Sequence, residues 1–273
     1  MPSKIIRNPQ AAGRFYPATP AQLKEQISRY FDKNAAKKDV IACMLPHAGY
    51  IYSGKVACSV VSGINIKQKV ILLGPNHTGY GEPFSIMTEG AWETPLGRVE
   101  IDSGLAKDLL RNSKYLKDDA LAHVYEHSLE VELPILQYVK TDFKIGPIVF
   151  MSDDTEALKN IGDEISERLR ALGYKDSSLL VASSDMTHYE PKKTAEQKDK
   201  QAIEAILELN EDRLAERVRL MNITMCGYAP VIVMVRAAKI LGAKIAKLIA
   251  YQTSGDVTGD NDSVVGYAGI TIS

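Results

Sequence analysis

Five histidines and three cysteines are the side chains of this 273-residue chain best suited to metal or proton chemistry, and three of the histidines share one setting. His47 follows the apolar run Val40-Ile41-Ala42-Cys43-Met44-Leu45 within Pro46-His47-Ala48-Gly49. His77 follows Val70-Ile71-Leu72-Leu73 within Gly74-Pro75-Asn76-His77. His188 follows Leu179-Leu180-Val181-Ala182 within Ser183-Ser184-Asp185-Met186-Thr187-His188. Each run reads as a buried strand, and parallel strands laid side by side deliver the residues at their carboxyl ends to one edge, where open α/β folds bind ligands. Three imidazoles at one edge can converge on a metal ion, although any one of them can equally cap a strand or hold a loop. The Gly and Pro beside His47 and His77 favour a sharp turn that re-aims the next side chain.

Three further groups belong with these histidines. Asp185 stands three residues before His188, so it either reaches the same site or fixes the loop through backbone hydrogen bonds. Cys226 precedes a helix that Pro230 can start. A helix amino terminus favours a thiolate, hence a metal ligand or nucleophile, while a core thiol is the alternative. Glu126 and His127 are candidates for acid-base work or for supporting the metal ligands. They lie in His123-Val124-Tyr125-Glu126-His127, a match to the H-x-x-E-H pattern of inverted zinc proteases. The same stretch also reads as the start of an amphipathic helix with Leu129 and Leu133 inward and Pro134 restarting it.

The elements around these residues predict an α/β domain spanning 1–273, with a central, mostly parallel sheet flanked by helices. Thr19 before Pro20 opens a helix with Leu23, Ile27, Tyr30 and Phe31 on one face. Ser53 precedes a helix over Lys55 to Val61 that completes a βαβ unit. Phe84 to Thr88 and Arg98 to Ile101 read as hairpin strands over the sheet, with Trp92 either packing there or shaping a pocket wall. Asp102 or Ser103, then Asp153 or Asp154, cap the next two helices, the second ending at Gly173. Thr194 with Gln197 marks another helix start. Strands over Ala246 to Tyr251 and Val264 to Ile272 close the chain, and the Asp- and Gly-rich loop between them is expected to rim the site.

Composition narrows the function. A net charge of -1, with Lys and Arg spread along the chain, offers no footprint for nucleic acid. No apolar stretch approaches the roughly 18 residues of a membrane span, and Met1-Pro2-Ser3-Lys4 lacks the apolar core of a signal peptide, so a soluble cytoplasmic protein is expected. Three scattered cysteines make no disulfide framework, and Cys43 and Cys58 sit in apolar runs.

Taken in order, Ala12-Gly13-Arg14-Phe15-Tyr16-Pro17, Pro46-His47-Ala48-Gly49-Tyr50, Gly74-Pro75-Asn76-His77, Trp92-Glu93-Thr94-Pro95-Leu96-Gly97, Glu126-His127-Ser128-Leu129-Glu130, Ser183-Ser184-Asp185-Met186-Thr187-His188 and Cys226-Gly227 resemble the successive motifs of the Memo family. The resemblance implies a fold like the catalytic subunit of class III extradiol dioxygenases. It also implies a metal site of His47, His77 and Cys226 with Asp185 and His188 close by. Those dioxygenases hold Fe(II) with two histidines and a carboxylate. By that likeness His188 or His127 is the base, and Cys226 stands where the carboxylate belongs. By the same likeness iron(II) is the expected cofactor, but a thiolate is softer and itself oxidisable, so dioxygenase chemistry does not transfer automatically and copper or zinc also suits the set. The resemblance implies either an O2-using oxidoreductase or a binding protein taking a small-molecule or peptide ligand in the same cleft. Animal members are associated with receptor signalling and cell motility, and microbial ones with a radical S-adenosylmethionine protein and an AMMECR-type protein as partners.

Overall fold

The three histidine strands lie side by side in the order first, third, second. In the computed structural model, which describes residues 5–273, Ala42–Leu45 pairs in parallel with Ser178–Ser183, which pairs in parallel with Lys69–Pro75, which pairs in parallel with Lys144–Phe150. All their carboxyl ends therefore face one edge, and the register sets Leu45 level with Ser183. Nearly every residue of these four strands is buried. That burial on both faces explains why the sequence shows continuous apolar runs rather than alternation.

Outside this parallel centre most pairings are antiparallel, with Phe84–Ile86 pairing in parallel with Lys117–Asp118 at one edge, so the sheet is mixed as a whole. Val264–Ile272 runs against Ala42–Leu45 and also pairs with Ala246–Thr253 and His188–Glu190. Phe84–Ile86 runs against Lys144–Phe150 on the other flank. Helices cover both faces. Tyr228–Ile240 packs across the parallel strands, with Thr155–Ala171 and Glu211–Leu220 behind it, while Tyr50–Ser62 covers the opposite face with Pro20–Tyr30 and Glu132–Val139. One contiguous apolar core runs from Ala11 to Ile272. Among the described residues, no helix is long and apolar enough to cross a membrane. The amino-terminal stretch Met1-Pro2-Ser3-Lys4, read above for its lack of a signal core, lies outside the described residues.

Several local expectations hold: Pro20 begins the first helix, and Asp102 and Asp154 cap theirs by accepting from Leu105 N and from Glu156 and Ala157 N. Others shift. The helix after His47 starts at Tyr50 rather than Lys55, because the tight turn at Gly49 leads straight into it. The helix assigned to Thr194 starts at Lys192, after Pro191. The hairpin joins Ala91–Thr94 to Gly97–Glu100, and Phe84–Ile86 instead extends the main sheet. Trp92 is fully buried in that hairpin, its indole N–H toward the Met87 sulfur and the Arg7 guanidinium over its ring at 4.2 Å, so it lines no cleft. The loop after Thr253 forms the short helix Gly255–Thr258 and ties to the start of the Lys192–Leu207 helix through Lys192, and its residues are not among those lining the cavity beside the histidines.

Candidate metal centre

Two strand ends and one helix start bring candidate donor atoms to the same point. His47, His77 and Cys226 bring their donor atoms within 4.8 Å of one another, and Cys226 Sγ lies 3.3 Å from His47 Nε2. Cys226 arrives from the segment before the Tyr228–Ile240 helix. That helix start presses so closely on the third strand that a Cβ on Gly227 would lie 2.3 Å from the Ser183 carbonyl oxygen and 2.5 Å from Ser184 Cβ. Only glycine lets Cys226 approach this far.

The imidazoles are held by partners that dictate their tautomers. His77 Nδ1 lies 3.0 Å from Glu126 Oε1, and the His77 backbone N–H also donates to that carboxylate. His188 Nδ1 lies 2.8 Å from the Thr224 carbonyl oxygen, while its backbone N–H donates to Thr224 Oγ1. A carboxylate or a carbonyl only accepts, so both rings carry their proton on Nδ1 and leave Nε2 as a lone pair. His47 Nδ1 lies 2.7 Å from Ser183 Oγ. Partners of this kind orient metal-ligating histidines and raise their basicity.

Asp185 does both things its position allowed. Its Oδ1 accepts from the backbone N–H groups of His47, at 2.9 Å, and Ala48, at 3.3 Å, while its own N–H donates to Cys226 Sγ at 3.3 Å. It thus ties together the loops carrying His47 and Cys226 and still lines the cavity beside His188. His127 is sandwiched between Phe15, with ring centroids 4.4 Å apart, and His77, at 4.8 Å. His123 is not part of the cluster. It sits fully buried against Trp92, with neither ring nitrogen hydrogen-bonded, because the chain leaves the short helix Leu121–Val124 before His127 and the two rings do not share a helix face. The inverted zinc-protease pattern is therefore not assembled.

Burial and neighbouring groups set the charges. Burial, reinforced by His77, His127 and His188, keeps His47 neutral by pulling its pKa well below the imidazole norm. Burial likewise lowers His127, to about 4 despite the opposing pull of Glu126. Burial alone would raise Glu126, yet the hydrogen bond and electrostatic pull of His77, with the Ser128 N–H, outweigh it and hold the carboxyl at about 2. Asp185 is pushed up to about 6 by burial, against the stabilising pull of His188 and the His47 and Ala48 N–H groups. Burial, with Asp185 nearby, raises Cys226, so without a metal it stays a thiol, 3.3 Å from His47 Nε2 and 3.7 Å from the Asp185 carbonyl oxygen.

The donor set fits a first-row transition metal. A tetrahedral ion with bonds of about 2.1 Å to nitrogen and about 2.3 Å to sulfur separates those two ligands by roughly 3.6 Å. The Cys226 to His47 spacing needs only a small opening to meet that, with the ion replacing the thiol proton. Beside the cluster is a cavity of about 570 Å³ walled by Phe15, Tyr52, Tyr189, Val265 and Tyr267. Phe15 reaches it because Glu130, buried behind, accepts from Arg7, Tyr16 Oη and the Gln10 and Ala11 N–H groups and so straps the amino-terminal segment over the site. Sequence reasoning missed Ser183, Thr224 and Glu130 as supports and Phe15, Tyr52 and Tyr267 as walls. The one available cue was that Glu130 and Glu132 flank the apolar positions Leu129 and Leu133, where a carboxyl is buried at a cost unless it has work to do.

Residues 7–271 match the family described as Memo-like protein. A MEMO1 family protein of Aquifex aeolicus is 44% identical over 271 residues, covering 97% of this chain and 98% of the relative. MEMO1 family proteins of Methanosarcina barkeri and Methanocaldococcus jannaschii are 41% and 42% identical, over 98% and 96% of this chain and 100% and 97% of their own lengths.

Proposed function

The chain belongs to the Memo-like family, and from that premise we propose that it is a metal-dependent oxidoreductase, holding iron(II) through His47, His77 and Cys226 and acting with O2 on a small or peptide-borne ligand in the adjoining cavity. The observation that carries this reading is the convergence of one thiol and two imidazoles on a common point, with the Nδ1 of each imidazole already engaged. An iron ion bound there supplies redox chemistry and positions for oxygen donors. Copper or zinc would use the same soft donor set.

The chain's own groups supply the rest. His188, with Nδ1 donating to Thr224, offers Nε2 as a proton acceptor to a ligand hydroxyl at the cavity mouth. Asp185, pushed to about 6, changes charge just below neutral pH and can take up a proton beside it. Phe15, Tyr52 and Tyr267 give the ligand side of the cavity its apolar walls. A second reading, recognition of a ligand without turnover, is favoured by the thiol in the donor set, which by the family resemblance stands in Cys226 where class III extradiol dioxygenases carry a carboxylate.

Metal analysis of protein purified anaerobically without a metal-binding tag separates the two. Near-stoichiometric iron that disappears in both His47→Ala and Cys226→Ala supports the oxidoreductase. If no metal is retained, and Fe(II), Cu(I) and Zn(II) bind wild type no better than the variants, the recognition reading takes its place.

A further inference from the structure

A second buried carboxyl, Glu132, stands behind His47 on the side away from the cavity. It is fully buried, and among the described residues no basic side chain forms an ion pair with it. Its Oε1 lies 2.8 Å from Ser183 Oγ, and Oε2 has no hydrogen-bond partner. Ser183 Oγ is the hub of three contacts: His47 Nδ1 at 2.7 Å, the Ser128 carbonyl oxygen at 2.8 Å and Glu132 Oε1.

Counting protons resolves this hub. A serine hydroxyl has one proton to give and two lone pairs to fill. The Ser128 carbonyl can only accept, so the serine proton goes there. The two remaining neighbours must then both donate. His47 presents Nδ1–H, and Glu132 presents a carboxylic O–H. The alternative, an ionised Glu132 competing with Ser128 for the same proton, leaves a charge in an apolar interior with one oxygen unpartnered, which is costly.

We infer that Glu132 is a positioning residue for the metal centre: held as the neutral acid, it fills the second lone pair of Ser183 and locks His47 in the tautomer whose Nε2 faces Cys226. The two imidazoles are thereby backed in opposite ways. His77 leans on the anionic Glu126, which makes it the more electron-rich ligand, and His47 leans on an uncharged Ser183 and Glu132 pair. A bound cation thus meets one carboxylate charge through the histidines instead of two. Burial pushes the Glu132 carboxyl in the same direction.

The inference rests on the metal-centre reading only for its affinity arm, and two readouts on metal-free protein are independent of it. In wild type, nitrogen NMR of labelled histidine is expected to show His47 with its proton on Nδ1, and infrared spectra at neutral pH to show a protonated carboxyl band that Glu132→Gln removes. Glu132→Gln keeps an N–H donor for Ser183, so tautomer and Co(II) affinity stay near wild type. Glu132→Leu and Ser183→Ala remove the support, so the His47 tautomers mix and Co(II) binds about 10-fold to 100-fold more weakly. Should Glu132→Leu not fold, Ser183→Ala carries the same comparison. An ionised carboxyl at position 132, or Ser183→Ala with an unchanged His47 tautomer, overturns the inference. Wild type that binds no Co(II) while the tautomer and the carboxyl band come out as expected overturns the metal-centre reading and leaves the lock on His47 standing.

Discussion

Nε2 of His47 lies 3.3 Å from the sulfur of Cys226, a contact made across 179 positions of sequence. In the metal-free protein Cys226 is a thiol, and the burial that keeps it protonated also keeps the imidazole neutral. A metal ion must therefore displace one proton to bind.

Metal affinity should accordingly rise with pH. The Cys226 thiol is held above its ordinary range, while His47 is already neutral, so across the neutral range log affinity climbs by about one per pH unit. Competition titrations with Zn(II) or Co(II) at several pH values measure the slope, and a flat profile would show that no thiol proton is exchanged.

Cys226→Asp should change the character of the site rather than abolish it. The Co(II) form of wild type is expected to carry a sulfur-to-metal charge-transfer band that the variant lacks, and preference should move from soft toward hard ions. Identical spectra would remove Cys226 from the ligand set.

Glu126→Gln should loosen His77. Loss of the charge that clamps its ring and backbone N–H weakens metal binding about 10-fold to 100-fold. Stability also falls. A carboxyl held at about 2 against an unfolded value near 4.5 contributes on the order of 3 kcal/mol. Because the folded value is the lower one, this contribution is present above about pH 4.5 and is lost as pH falls toward 2. Urea denaturation at pH 7 and pH 3 compares the two proteins, whose difference should shrink at the lower pH.

His123→Leu should leave metal binding intact and make the protein less sensitive to acid. Burial, with Arg7 close by, lowers His123 to about 3, and both its nitrogens lack partners. The unfolded chain therefore takes up this proton first, so stability is full above about pH 6.5 and falls as pH drops toward 3, by on the order of 5 kcal/mol. Tm measured from pH 7 down to pH 4 should decline less steeply in the variant. A loss of bound metal in His123→Leu would show that His123 supports the metal after all.

Gly227→Ala forces a methyl group onto the Ser183 carbonyl and Ser184. The backbone must shift, at a cost of about 2–4 kcal/mol, and Cys226 shifts with it. A lower Tm together with a weakened Co(II) thiolate band is the expected pair of results. A normal band would show that the close approach at Gly227 does not position the sulfur.

Much of this molecule was legible in its sequence because the information was local. Unbroken apolar runs ending at His47, His77 and before Asp185 marked the central strands, and Pro20, Asp102 and Asp154 marked helix starts, since strand burial and capping depend on a few neighbouring residues. The parallel arrangement of the histidine strands followed from the same pattern. What only the tertiary structure decided was how groups remote in sequence meet: the insertion of the third strand between the other two, the arrival of Cys226 beside His47, and the exclusion of His123. The tautomers belong there too. They depend on Ser183 and Glu132 behind His47 and on the Thr224 carbonyl behind His188. A backbone carbonyl or a common serine carries no mark in a sequence, and it becomes a partner only when folding places it within hydrogen-bond distance of one particular ring.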